Sequence, residues 1–325
     1  MQLPGLADIE SASRIVYDAM PPTPQYSWPL LNEALGAEAW IKHENHTPIG
    51  AFKVRGGLVY MARLLQRQPE VPGVIAATRG NHGQSVAFAA RRHGIPATIV
   101  VPHGNSLEKN AAMRGFGARL VEHGADFQES REYAQALALR EGLHMVQSYQ
   151  PDIVAGVASA WIELLRARPG LDLLLVAIGQ GSSFCGAAAA RDALGLKIPL
   201  IGVVSAQAPA YRLSFQSRRA VEAPVSTIVA DGLACRVPDP LSLPTVLEYA
   251  DDVIAVSDEE VAQAMRLYHR CTHNMAEGAG AASLAAALQL RASGKLAGAR
   301  IGLALTGGNV DAELFARVLG GGLPS

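Results

Sequence analysis

The stretch Gly73–Pro102, GVIAATRGNHGQSVAFAARRHGIPATIVVP, decides the fold class. GVIAAT is a short apolar run and reads as a buried strand. NHGQSVAFAARRHG reads as a helix closed by Gly94, and IPATIVVP as a second, β-branched strand ended by Pro102. A strand, a helix and a strand in so few residues make a βαβ unit, and βαβ units build parallel sheets. Downstream, SLEKNAAMRGFG predicts a helix with Ser106 as N-cap and a stop at Gly117. ARLVEHG, DFQESREYAQALALREG and HMVQSY continue as strand, helix and strand. A second set follows. ASAWIELLRARPG, SSFCGAAAARDALG, DEEVAQAMRLYHRC (capped by Ser257) and GAGAASLAAALQLRASG predict helices. DLLLVAIG, PLIGVVS, ADDVIAVS and ARIGLALTGGN predict strands.

The fold class is therefore α/β, with two parallel-sheet units in 325 residues. The expected division is a small α/β domain over 51–147 and a large domain from 1–50 and 148–325. The chain is 49% hydrophobic and 18% charged, the composition of a well-buried enzyme rather than a disordered chain. A net charge of −1 gives no basic face, so no nucleic-acid partner is expected. Apolar runs such as LDLLLVAIG are too short to span a bilayer, so no membrane partner is expected. The N-terminus has no basic start followed by an apolar run, and the three cysteines, Cys185, Cys235 and Cys271, form no CxxC pair. A cytoplasmic location is the expectation.

Four features carry chemistry. Lys53, in IGAFKVRGG (Ile49–Gly57), is pressed among apolar and small residues. An amine in such a place is an anion anchor or a nucleophile of lowered pKa, and Gly50, Gly56 and Gly57 let backbone or ligand approach. TRGNHGQS (Thr78–Ser85) joins a strand to a helix, where free N–H groups bind a carboxylate; a tight turn is the plainer reading. IGQGSSFCG (Ile178–Gly186) repeats that arrangement with Gly179, Gly181 and the hydroxyls of Ser182 and Ser183, a phosphate cup. LTGGN (Leu305–Asn309) ends a late strand, where ligands of parallel sheets sit, and Thr306 offers a hydroxyl there; by itself the stretch equally reads as a simple turn.

Taken in order, HENHTPIGAFKVRGG, GNHGQSVAFAARRHGIPATIVVP, STIVADGLA, AEGAGAASLAA and LTGGNVD resemble the threonine/serine dehydratase family of pyridoxal-phosphate enzymes, from about Pro24 to Leu319. That resemblance implies fold type II, with pyridoxal 5'-phosphate in the cleft between two α/β domains, and a homodimer. It implies that Lys53 forms the Schiff base and serves as general base. It further implies that Phe52 underlies the pyridine ring, Asn81 bonds its 3-oxygen, Gly179, Gln180, Gly181, Ser182 and Ser183 hold the phosphate, and Thr306 faces the ring nitrogen. Glu277 resembles a glutamate near that ring. The substrate would rest on Thr78, Arg79, Gly80, Asn81, His82 and Gly83. The implied reaction removes water from a β-hydroxy-α-amino acid and releases a 2-oxo acid and ammonia.

The departures bear on the substrate. Racemases of this family place a serine where Arg79 stands, so racemisation is disfavoured. The family's cation site has acidic side chains where this chain has Val204 and Ala210, so no divalent metal is expected. Ile49 and Ala51 make one side less polar, which favours phenylserine over threonine or serine; a 3-hydroxyaspartate-type substrate would instead use Arg79. His43 and His46 are candidates to line the pocket. The alternatives to a dehydratase are an amino-acid racemase and a non-catalytic ligand-binding protein on the same fold.

Overall fold

The computed structural model describes residues 2–323. Ten strands form two sheets: β1 (Gln25–Ser27), β2 (Glu38–His43), β3 (Val74–Ala77), β4 (Ala97–Val101), β5 (Arg119–Glu122), β6 (His144–Met145), β7 (Leu173–Ala177), β8 (Leu200–Ser205), β9 (Asp252–Val256) and β10 (Arg300–Leu305). One sheet has the order β5-β4-β3-β6 and is parallel throughout. The other has the order β1-β2-β10-β7-β8-β9, parallel except for the antiparallel edge strand β1. The central strands β3, β4, β7 and β10 are almost wholly buried, as helix-covered parallel strands are.

The expected helices form with the expected ends. Ser106 Oγ accepts from Lys109 N at 3.0 Å, and Ser257 and Glu260 make a full capping box. Gly94 and Gly142 take positive φ where helices stop. Three differences stand out. HMVQSY pairs only over His144–Met145. The helix expected from Ala158 begins at Pro151 and runs to Ala167. The chain before Lys53 supplies a helix (Leu6–Tyr17) and strand β2, neither of which the sequence pattern announced.

The glycines near Lys53 serve helix packing more than ligand approach. A Cβ on Gly57 would lie 2.1 Å from Ser85 Oγ, and one on Gly56 2.7 Å from Ile153 Cγ2. From the other side, a Cβ on Gly156 would lie 2.4 Å from Arg55 O. The helix Lys53–Arg67 is thus wedged against Asn81–Arg92 and Pro151–Ala167 at backbone distance. Gly156→Ala forces these helices apart. It is expected to cost about 1–3 kcal/mol, the usual range for overpacking, read as a lowered denaturation midpoint; an unchanged midpoint would contradict this packing account.

Candidate active site

Parallel sheets offer their ligands the carboxyl ends of their strands. Here the ends of β3, β7 and β10 lead into the three glycine-bearing loops, which surround one cavity of about 150 Å³. The lysine loop is stitched to the end of β10. Phe52 N–H donates to Thr306 O at 2.9 Å, Gly308 N–H donates to Gly50 O at 2.9 Å, and Ala51 bridges Gly307. The Thr47 hydroxyl closes the loop by bonding both N–H and C=O of Ala51 at 2.9 Å. Lys53 therefore opens its helix at the cavity wall, with its Nζ 5.0 Å from the Phe52 ring centre.

Burial pushes the Lys53 ammonium down to about 8, against the pull of the Glu277 carboxylate. The amine is then neutral in an appreciable fraction near physiological pH. Burial likewise drives Glu277 above the usual carboxylate range, a shift that the Lys109 charge opposes. His82 is held down to about 4, by burial and then by Lys53.

The substrate loop is shaped from within. Thr78 Oγ1 accepts from Gly80 N at 2.9 Å and Gly83 N at 3.3 Å. Thr78, Arg79, Gly80, Asn81 and His82 line the cavity, but Gly83 does not. A Cβ there would lie 2.5 Å from Met113 Sδ and from Thr78 Cγ2, so Gly83 faces packed side chains. Among the described residues, the N–H groups of Asn81 and His82 have no protein acceptor. The Asn81 carboxamide is engaged at both ends: its Nδ2 donates to Glu277 Oε1 at 2.6 Å, and its Oδ1 accepts from Asn309 Nδ2 at 2.8 Å.

Across the cavity, Gly181 at φ 96° starts the helix Ser182–Ala193. Gly179, Gln180, Gly181, Ser182 and Ser183 line the wall. A Cβ on Gly179 would lie 2.6 Å from Gly232 O, and the Gln180 amide rests on Cys235 Sγ at 3.5 Å. Thr306, at the end of β10, lines the same space.

Several expected placements change. His43 accepts from Trp28 Nε1 at 3.1 Å, and His46 bonds Asn274 at 2.7 Å; neither lines the cavity. Ile49 and Ala51 are buried outside its wall, so they do not set substrate polarity. Sequence reasoning missed Lys109, Asp231 and Phe127, which do line it. Each comes from a different segment, and no local spacing links them.

Beneath the site lies a buried ion cluster. Arg55 Nε and Nη2 donate to Glu44 at 2.7 and 2.9 Å, and Nη1 donates to Glu163 Oε1 at 2.6 Å and Ser159 Oγ at 2.8 Å. Lys42 Nζ reaches Glu163 Oε2 at 2.5 Å. Two cations balance two carboxylates, with the partners such burial requires.

A phosphate-bearing aldehyde fits these groups: a low-pKa amine, an aromatic ring beside it, free hydroxyls, and an anion-binding helix start across the cavity. Comparison with known proteins agrees. The family model described as "Pyridoxal-phosphate dependent enzyme" matches residues 16–307. An L-threonine ammonia-lyase of Thermotoga maritima is 32% identical over 98% of this chain and 79% of its own. An L-threo-3-hydroxyaspartate ammonia-lyase of Pseudomonas sp. is 33% identical over 99% of this chain and all of its own. The solved structure of maize serine racemase superposes with a TM-score of 0.90 at 26% identity, covering 96% of this chain and 95% of that one. The chain belongs to the pyridoxal-phosphate-dependent enzymes of fold type II, and pyridoxal phosphate is its cofactor.

Proposed function

We propose that the protein is an ammonia-lyase that removes water from a β-hydroxy-α-amino acid bearing an anionic β-substituent, of the 3-hydroxyaspartate type, and releases the 2-oxo acid and ammonia. Bound pyridoxal phosphate supplies the electron sink that makes the α-proton acidic and the β-hydroxyl a leaving group. Gly179, Gln180, Gly181, Ser182 and Ser183 would hold its phosphate, Phe52 its ring, Asn81 its 3-oxygen and Thr306 its ring nitrogen. The free N–H groups of Asn81 and His82 receive the substrate's α-carboxylate. The neutral Lys53 amine takes the α-proton. Water lost at the β-carbon is regained when the released imine hydrolyses, so the net products are the oxo acid and ammonia. We assign residues 51–147 to the small domain that carries the substrate loop, and the chain to a homodimer.

The observation that carries the substrate class is an antechamber. Arg79, Phe127 and Gln180 line both this cavity and a second space of about 520 Å³. Arg79, Arg131 and Arg236 line that space. Among the described residues, none of the three has an acidic partner. The wall holds two acids against these three guanidinium groups, and each accepts one backbone N–H: Asp126 Oδ1 from Glu129 N and Asp239 Oδ1 from Leu241 N, each at 2.9 Å. An excess of free guanidinium groups selects a carboxylate.

The test compares kcat/KM for L-threo-3-hydroxyaspartate, L-threonine and L-threo-phenylserine. The acidic substrate is expected to lead, and Arg79→Met to cost it about 10- to 100-fold, the worth of a charged hydrogen bond, with little change for threonine. Faster turnover of phenylserine would move the assignment to an aromatic substrate packed on Phe127.

A further inference from the structure

Lys109 lines the site cavity from the helix Leu107–Gly115, yet the reaction as drawn gives it no task. Its placement is built. The residue is 7% exposed, and its stem runs over Gly80, where a Cβ would lie 2.6 Å from Lys109 Cδ. The ammonium donates to Asp231 Oδ2 at 2.6 Å and stands 3.7 Å from Glu277 Oε2. That Glu277 oxygen is buried and has no hydrogen-bond donor among the described residues. The other oxygen, Oε1, accepts from Asn81 Nδ2, and Gly307 leaves room for it: a Cβ there would lie 2.4 Å away. A buried carboxylate with a free oxygen is costly unless a cation faces it.

We propose that Lys109 is a positioning residue: clamped between Asp231 and Glu277, its ammonium holds the Glu277 carboxylate as the charged acceptor that orients the Asn81 amide beside Lys53. The charged groups facing Glu277 are Lys109, Asp231 and Lys53, and Asp311 also acts on Lys109. Burial opposes the ionised carboxylate most, Lys109 favours it, and Asp231 opposes it. Burial works against the Lys109 charge, but Asp231 and then Glu277 outweigh it and keep the ammonium protonated at neutral pH. It is therefore a fixed charge, where Lys53 is a base. This inference rests on the lyase reading of the site, but its test does not.

Opposite charges predict opposite shifts. In Lys109→Met, Glu277 takes up its proton at a pH higher by at least about one unit, the scale of one lost charge contact. In Asp231→Asn it does so at a lower pH, and Lys109→Arg stays near the parent value. The readout is the protonated-carboxyl infrared band of the cofactor-free protein, assigned by its loss in Glu277→Gln. In the holoenzyme the acid limb of kcat should move in the same directions. A clamp that merely braced the fold would weaken in both variants alike. Equal behaviour of Lys109→Met and Asp231→Asn, or a Glu277 band indifferent to both, overturns the proposal. Opposed infrared shifts without any turnover would uphold the clamp and sink the lyase reading instead.

Discussion

Replacing Lys53 with alanine is expected to lower 2-oxo acid release by at least about 10³-fold, within the range a positioned base supplies, with the anchoring role adding to it. No neighbour can substitute. Lys109, the other lysine lining the cavity, is kept protonated by Asp231 and Glu277. The His82 imidazole, held at about 4, is a weak base, and its Nε2 lies 3.4 Å from Val146 O. The variant should keep its fold, because the Nζ of Lys53 makes no hydrogen bond or ion pair among the described residues. Circular dichroism should be that of the parent, and borohydride treatment followed by peptide mass spectrometry should place the cofactor on Lys53 in the parent only. Turnover within tenfold of the parent would remove Lys53 from the mechanism.

The largest stability effect is expected two residues on. Arg55→Met leaves Glu44 and Glu163 with Lys42 as their one remaining cation in a cluster that is almost wholly buried. Removing one partner of such a network costs about 3–5 kcal/mol, read from denaturant midpoints. Adding Glu44→Gln should recover part of the loss. The effect depends on pH. Burial pushes Glu44 up, but the Arg55 charge and hydrogen bonds pull it further down, so its folded value lies below the ordinary one. A carboxylate lowered in this way stabilises the fold above the unfolded value of about 4.3, and that contribution disappears as pH falls through the folded value. The deficit of Arg55→Met should therefore narrow in acid. A loss under 1 kcal/mol at neutral pH would mean the cluster is better solvated than its geometry implies.

The Lys53 effect sits where the sequence was easy to read, and the Arg55 effect where it was hard. The βαβ run around Gly73–Pro102 was legible because strand runs, caps and glycine stops agree there, and local agreement of that kind specifies a fold. Strand β2 was not: EAWIKH ends in Lys42 and His43, whose partners are Glu163 from far along the chain and Thr23 and Trp28 from the segment just before the strand. The first two turns of Pro151–Ala167 were hidden by Gly156 and the β-branched Ile153, Val154 and Val157, poor helix formers, and the glycine is there for the backbone of Arg55. Lys53, Phe52 and the loop glycines announced themselves by crowding of small residues. Lys109 carries no local signal in SLEKNAAMRGFG, and only the folded chain brings it between Asp231 and Glu277. The substrate argument from Ile49 and Ala51 failed for the same reason: adjacency to Lys53 in sequence is not exposure to the cavity.

The most direct test supplies the purified protein with pyridoxal phosphate and L-threo-3-hydroxyaspartate, then measures ammonia, 2-oxo acid and the chirality of the remaining amino acid together. Elimination predicts ammonia and oxo acid in equal amounts, both abolished by Lys53→Ala, with the remaining substrate unchanged in configuration. Inverted amino acid without oxo acid would identify a racemase and contradict the account.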